Sequence, residues 1–230
     1  MKNWYLFDLL LIVILIGTIF VLCQRNNNYQ QENEKDMMDT IPVINVKPTE
    51  IIDSELTFEE AIAGSDAPQH ILDELVLIDV RYFSTDDKIH RGQILVNKKI
   101  EKNIEHIFEF MLEHEFTVYQ AVPIVKFDWD DIKSMEANNS SGFCYRDVMN
   151  TKRKSKHSTG LAIDINPLFN PIRWKSPNKH RPNIPEGAVL DTTNNGTLYP
   201  GHPVVEEMKR LGFKWGNQFR RYWDDHHFEK

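Results

Sequence analysis

The chain has 230 residues, of which 41% are hydrophobic and 11% aromatic, a composition that suits one folded domain of ordinary size with additional segments. Its formal net charge of −7 is unevenly distributed, because residues 26–60 carry −7 and residues 61–230 only −1. The acidic residues are therefore in excess only in one N-terminal segment, and the rest of the chain is close to neutral.

The first predicted element is an apolar run from Trp4 to Cys23 with basic residues on both flanks. A helix needs about 20 apolar residues to cross a bilayer, and no small-x-small cleavage site closes this run. We therefore predict a signal anchor or transmembrane segment over residues 1–25. It would make a single-pass protein of the cell membrane with the folded domain on the extracytoplasmic side. A lipoprotein signal ending at Cys23 is the alternative, which Leu22 disfavours because a small residue normally precedes that cysteine.

A polar and charged tract without periodicity follows the apolar run. Such a composition is typical of disordered segments, so residues 26–60 are predicted to be an acidic stalk. The folded domain is then expected over residues 61–230.

Secondary structure in the first half of this domain is predicted from local patterns. Strands are predicted where β-branched and apolar residues cluster, at residues 75–83, 92–97 and 121–127. Apolar residues at helical spacing predict a helix over 100–111 with Asn97 as its N-cap. A short helix is predicted within 128–142.

The second half contains fewer regular patterns. Residues 160–166 alternate as a strand does, and residues 167–201 are predicted to form a long loop. A helix should start at Pro203 and end at Gly212. Two short strands are predicted at the end, at residues 213–219 and 226–229. This mixed order favours an α+β fold with a small antiparallel sheet flanked by helices.

The segment "SKHSTGLAIDINP" places His157 seven residues before Asp164. On one continuous strand these two side chains would face opposite sides, but Gly160 permits a bend between them. The C-terminal "DDHHFE" offers a third ligand, His226 or His227. Two imidazoles and one carboxylate are the ligands of a catalytic zinc site, with a fourth position for water. Such a site activates water and polarises a carbonyl group.

Hydrolysis also needs a general base that does not bind the metal, and a cation for the oxyanion. Asp224 is the best candidate for the base, with Asp225 and Glu229 as alternatives. Arg146, within the upstream segment "SSGFCYR", is the candidate cation.

These motifs resemble a known family. "SKHSTGLAID" fits S-x-H-x-x-G-x-A-x-D and "DDHHFE" fits D-x-x-H-F-E. Together they are similar to the zinc D-alanyl-D-alanine carboxypeptidases of the vancomycin-resistance D,D-peptidase type. Phage L-alanyl-D-glutamate endolysins and the hedgehog signalling domain share that fold. The resemblance runs from about His90 to Lys230 and implies an antiparallel sheet with zinc on its face.

The resemblance also implies a role for each residue that matches the motifs. They would be the zinc ligands His157, Asp164 and His227, the general base Asp224, the transition-state arginine Arg146 and the substrate-binding residue Ser155. His227 is preferred over His226 because the pair Phe-Glu follows it. The family often has a second glycine where this chain has Asn217.

The implied activity is hydrolysis of a D-amino-acid peptide bond in peptidoglycan stem peptides. Residues 148–185 carry eight basic residues and one acid, which suits a substrate with carboxylates. The run "KRKSK" lacks interleaved aromatic residues, so no nucleic-acid partner is expected.

Three interpretations stay open. The first is a zinc D,D-carboxypeptidase, and the second is an endopeptidase that cuts L-Ala-D-Glu or cross-bridge bonds. The third is a non-catalytic zinc module that binds wall peptide, against which the presence of Asp224 and Arg146 argues.

Overall fold

The computed structural model describes residues 50–175 and 181–230. The predicted signal anchor over 1–25 and the stalk residues 26–49 lie outside these residues, as do residues 176–180 of the predicted loop. Within the two described ranges, no helix has the length and apolar character needed to cross a membrane.

The described residues form an α+β arrangement of short strands and helices. The strands are β1 (Ile51–Ile52), β2 (Leu75–Phe83), β3 (Ile89–Asn97), β4 (Gln120–Ala121), β5 (Asn139–Ser140), β6 (Ala162–Asp164), β7 (Ile172–Trp174), β8 (Lys214–Trp215), β9 (Tyr222–Asp224) and β10 (His227–Glu229). The α-helices are α1 (Phe58–Ile62), α2 (Gln69–Leu72), α3 (Glu101–Glu113), α4 (Asp131–Glu136) and α5 (Pro203–Arg210). Three 3-10 helices cover Ile124–Phe127, Lys156–Thr159 and Gly216–Gln218.

The long hairpin of β2 and β3 is the framework of the N-terminal half. The structure confirms β2 at the predicted bounds, and β3 begins at Ile89, three residues before the predicted start. β3 is the central strand of the order β1-β3-β2, with β1 parallel to it. Helix α3 covers one face with the side chains that its periodicity predicts, Ile104, Ile107, Phe108 and Met111. Full burial of each such side chain contributes about 1.5–3 kcal/mol.

Asn97 is not the N-cap of α3, contrary to the sequence prediction. Ile100 occupies that position and makes no side-chain cap bond. The Asn97 side chain instead accepts the N–H of Lys99 and donates to the carbonyl of Thr159. A buried amide with these two partners fastens β3 to the segment that carries His157.

The strand predicted over 121–127 is also wrong for most of its length. Only Ala121 belongs to a strand, and Ile124–Phe127 is a 3-10 helix. Pro123 has φ −60° and lacks an N–H, so it cannot continue a sheet ladder.

Regular structure appears in two segments where none was predicted. β1 lies and α1 begins within residues 50–60, where Thr57 and Glu60 form a capping box at the start of α1. β7 lies within the predicted loop 167–201 and pairs antiparallel with β9. β1 pairs with β3, and β4 with β5, in parallel, whereas the sequence predicted antiparallel pairing.

A second small sheet has the order β6-β10-β8 and is antiparallel throughout, as predicted. Its central strand β10 places His227 directly opposite Asp164 of β6. Opposed residues of an antiparallel pair lie on the same face, so this register brings the two side chains together.

Gly160 allows the chain to enter β6. It ends the 3-10 helix Lys156–Thr159 with φ +67°, and an added Cβ would lie 2.6 Å from the backbone nitrogen of Asn97. We expect Gly160→Ala to lower the free energy of unfolding by about 2–4 kcal/mol, from the left-handed backbone and the clash together.

Urea unfolding of the two proteins would measure this difference. Gly187→Ala is the matched control, because Gly187 has φ +79° and no neighbour within 4 Å of an added Cβ. The control isolates the backbone term of about 1–2 kcal/mol. Equal losses in the two variants would contradict the close packing at Gly160.

Candidate metal centre

Three side chains of the described residues converge in a buried cluster, those of His157, Asp164 and His227. Nε2 of His157 lies 3.1 Å from Oδ1 of Asp164 and 3.1 Å from Nδ1 of His227. Nδ1 of His227 lies 3.0 Å from the same Asp164 oxygen. The structure thus brings together the three residues that the sequence predicts as metal ligands.

The local fold explains how residues from separate segments meet. Asp164 and His227 face each other across β6 and β10. His157 approaches from the 3-10 helix before β6, and Ser155 caps that helix by accepting the N–H of His157. The bend at Gly160 permits an odd separation along the chain to place both side chains at one point.

Hydrogen bonds at the far side of each ring fix which nitrogen faces the cluster. Nδ1 of His157 donates to the carbonyl oxygen of Gly142, and Nε2 of His227 donates to the carboxylate of Glu229. The inward nitrogens therefore carry lone pairs, and the Asp164 carboxylate adds an oxygen. When both rings are neutral, three acceptor atoms point at one place, so the cluster is suited to a cation.

The charges of the cluster also favour a bound cation. Burial by itself would raise the pKa of Asp164, but the imidazoles of His157 and His226 hold it well below its usual range. Burial lowers the pKa of His227, but the carboxylates of Asp164 and Glu229 outweigh this and raise it to about 10. The site therefore binds positive charge, and a metal ion must displace a proton to enter.

Glu229 holds the His227 ring in place. Its Oε2 lies 3.2 Å from Nε2 of His227, and this hydrogen bond lowers the pKa of Glu229. We expect Glu229→Gln to weaken metal binding about 10- to 100-fold, because outer partners of a ligating histidine have effects of that size.

Competition with a chelator of known affinity would measure the change. Glu186→Gln, at an exposed glutamate of the same chain, is the control and should leave metal affinity unchanged. Wild-type affinity in Glu229→Gln would contradict this role.

Asp224 lies next to the cluster and is not part of it. Burial raises the pKa of Asp224, although the imidazoles of His226 and His227 oppose this. Nε2 of His226 lies 3.0 Å from its Oδ1, but the angle is not that of a hydrogen bond. Among the described residues, this buried oxygen therefore has no hydrogen-bond partner. A carboxylate with a raised pKa and a free oxygen has the properties of a general base.

Asp225, the other candidate for the base, is held in a structural network. Its Oδ2 accepts from Nε of Arg173 at 2.5 Å and its Oδ1 accepts from the amide of Asn217 at 2.6 Å. The residue is fully buried. Because both oxygens already accept hydrogen bonds from fixed partners, Asp225 is held in a structural role.

His226, the alternative ligand, does not join the cluster. Its Nδ1 donates to the carbonyl oxygen of Asn170, and its Nε2 faces Asp224 and lies 3.9 Å from Oδ2 of Asp164. Adjacent residues of a strand point to opposite faces, which separates His226 from His227.

Arg146 lies in the segment that runs beside β6. Ser141 of this segment exchanges backbone hydrogen bonds with Asp164, and the Arg146 carbonyl accepts the N–H of Ser155. Nε of Arg146 lies 2.8 Å from Oδ2 of Asp131, an ion pair without hydrogen-bond geometry. Burial would lower the pKa of Arg146, but the carboxylates of Asp131 and Asp164 raise it, so the guanidinium stays charged near the cluster.

Several contributors to the site were not predicted. Asp131 and Gly142 carry no signal in the sequence, because their roles depend on contacts with distant segments. Glu229 lies two residues after His227 on one strand, and that spacing could have indicated that the two share a face. Ser155 was predicted to bind substrate, and the structure places its hydroxyl oxygen on the backbone of His157.

Comparison with known proteins agrees with this geometry. A family model described as D-alanyl-D-alanine carboxypeptidase matches residues 149–230. The matched part contains the three cluster residues and Asp224, and Arg146 lies just before it. No curated protein and no solved structure matches the chain. The match supports a peptidase related to this family, whereas the narrower likeness to the vancomycin-resistance type, the endolysins and the hedgehog domain stays a prediction.

Proposed function

We propose that the chain is a zinc-dependent D-alanyl-D-alanine carboxypeptidase that acts on peptidoglycan stem peptides. One observation carries this proposal, the meeting of three acceptor atoms of His157, Asp164 and His227 inside a segment that matches a family of such peptidases. An acceptor cluster of this kind is what a hydrolytic metal centre requires.

The donor set fits zinc. Two imidazole nitrogens and one carboxylate oxygen leave a fourth position of a tetrahedral ion for water. Bonds of about 2.0–2.1 Å imply that neighbouring donors lie about 3.3 Å apart, and the donor atoms here are 3.0–3.1 Å apart. Little movement would be needed to admit the ion.

Zinc held by these residues would supply Lewis-acid activation of the water and of the scissile carbonyl group. Asp224 would accept the proton of the attacking water on its free oxygen and deliver it to the leaving amine. The Arg146 guanidinium would stabilise the negative charge on the carbonyl oxygen as that charge develops. Asp131 would keep the guanidinium in position through their ion pair.

The charge around the site supports a substrate with carboxylates. Exposed basic side chains lie on the segment before His157 and on the segment after β7, at Lys152, Arg153, Lys154, Lys175 and Arg181. Stem peptides carry free carboxylates, which such a surface attracts. A carboxypeptidase also requires a cation for the terminal carboxylate of its substrate, and these residues are the candidates.

We further propose that residues 1–25 anchor the protein in the cell membrane with the peptidase domain on the extracytoplasmic side. The apolar run Trp4–Cys23 supports this, and so does a substrate located in the cell wall. Residues 26–49 would then form the acidic stalk.

Incubation with defined muropeptides, followed by mass spectrometry of the products, tests the activity. Loss of a single alanine that a chelator prevents and zinc restores is the expected result. Cleavage within the stem would identify an endopeptidase instead. Stoichiometric zinc without any cleavage would leave a non-catalytic module that binds wall peptide.

A further inference from the structure

In the described part of the chain, the outer edge of β2 is open before Phe83, whose carbonyl accepts the N–H of Val118. β2 is the outer strand of the sheet order β1-β3-β2. Leu77 lies opposite Leu95 of β3. The carbonyl of Leu95 points away from β2, because it accepts the N–H of Phe143 on the far side of β3. Leu77 and Leu95 are therefore not hydrogen-bonded to each other. The backbone N–H and C=O of Leu77 therefore point away from β3.

The direction of the backbone N–H and C=O groups alternates from residue to residue along β2. Leu75 and Asp79, two residues on either side of Leu77, share its orientation. No described residue hydrogen-bonds to the backbone N–H or C=O of these three residues. Leu75 is buried, whereas Leu77 is partly exposed and Asp79 exposed. The free donors and acceptors of Leu77 and Asp79 are therefore a template for another extended segment.

A groove of about 850 Å³ runs along this edge and contains none of the metal-cluster residues. One wall is apolar, because Phe58 of α1 and Leu72 of α2 pack with Leu77 on one face of the hairpin. The other wall is acidic, because Glu101 and Glu105 of α3 line it on the opposite face.

The charge of the groove determines what fits it. Four carboxylates line it, those of Asp73, Asp79, Glu101 and Glu105, together with the ammonium group of Lys98. Arg91 pairs with Asp79 and Lys102 pairs with Glu105, so the negative excess is that of Asp73 and Glu101 over Lys98. A second copy of β2 would bring the same acids and be repelled. A segment with lysine or arginine is complementary to this charge.

We propose that the open edge of β2 binds an extended segment of a partner protein in which basic and apolar residues alternate. Its backbone would hydrogen-bond to Leu77 and Asp79 as an added strand. Successive side chains of a strand point to opposite faces, so the basic ones would meet Glu101 and Glu105 and the apolar ones the opposite wall. This surface is separate from the metal cluster, so the proposal does not depend on the proposed activity.

The test uses the purified full-length chain and a seven-residue peptide of alternating lysine and valine, labelled for fluorescence anisotropy. We expect binding to this peptide and at least about tenfold weaker binding after methylation of alternate peptide nitrogens, which removes strand pairing. A peptide with glutamate in place of lysine should not bind.

Variants on α3 test the acidic wall. Glu101→Lys combined with Glu105→Lys should weaken binding at least about tenfold, because two attractive charge pairs become repulsive. Glu109→Lys is the control on the same helix, since Glu109 is exposed and does not line the groove. Equal effects of the control and the double variant would overturn the proposal.

Hydrogen exchange locates the bound peptide. The amide protons of Leu77 and Asp79 should exchange quickly in the free chain and slowly with the peptide bound. Protection elsewhere, no binding of the lysine–valine peptide, or self-association of the chain through β2 would each overturn the proposal.

Discussion

His227→Ala is expected to abolish metal binding and hydrolysis together. The substitution removes one of three donor atoms and leaves His157 and Asp164 as the remaining pair at 3.1 Å. It also leaves the Glu229 carboxylate without the hydrogen bond that it accepts from His227. Zinc affinity should fall by more than the roughly 10- to 100-fold that follows loss of an outer partner. Metal content after dialysis and turnover of a muropeptide would be measured on the same preparation.

His70→Ala is the control for this experiment, because His70 is exposed on α2 and lies outside the cluster. It should keep full metal content and full activity. A His227→Ala protein that binds one zinc with wild-type affinity would show that His227 is not a ligand. His226→Ala provides a second comparison, because His226 faces Asp224 and should not reduce metal content by the same factor.

Asp224→Asn is expected to lower kcat by about 10²- to 10⁴-fold while zinc stays bound. The amide has the shape of the carboxylate but cannot accept a proton, and it is not one of the cluster residues. Substrate binding should change little, so KM should stay close to the wild-type value. Steady-state kinetics with a muropeptide and metal analysis would separate the two effects.

Asp225→Asn is the matched comparison, because the two aspartates are adjacent and both are buried. Its expected effect is on stability, since it leaves the Arg173 guanidinium without its charged partner. The expected result is a lower unfolding midpoint with a kcat much closer to the wild-type value. An Asp224→Asn protein with wild-type kcat, beside a folded but inactive Asp225→Asn protein, would move the general base to Asp225.

The sequence predicted elements whose pattern is local. β2 and α3 follow from runs of apolar residues with periods of about two and 3.6 residues, and the structure confirms both. Helix α5 follows from Pro203 at its start and Gly212 just after its end. In each case the signal and the element occupy the same residues.

Elements that depend on distant partners were not predictable in this way. β7 is three residues long and exists through its pairing with β9, about 50 residues later in the chain. Within 121–127 the apolar residues favoured a strand, and Pro123 decided the outcome. For short apolar runs, periodicity alone does not distinguish strands from turns.

The same distinction applies to the site. The spacing of His157 and Asp164 around Gly160 was sufficient to predict that they meet, and the structure places them in one cluster. The partner of Arg146 was not predictable, because Asp131 lies on α4 and nothing in either segment indicates the other. Residues that hold a functional group in place act through tertiary contacts, so a single sequence shows them poorly.

The central position of β10 has a consequence for how the protein matures. His227 joins the cluster from a strand 70 residues after His157, between two strands that precede it in the chain. Contacts of such long range form late in folding. Before β10 inserts, only His157 and Asp164 can hold an ion, and two donors bind it weakly. Under the proposed function, metal uptake would thus be coupled to the completion of this sheet. A newly made chain would acquire its ion and its final rigidity in one step.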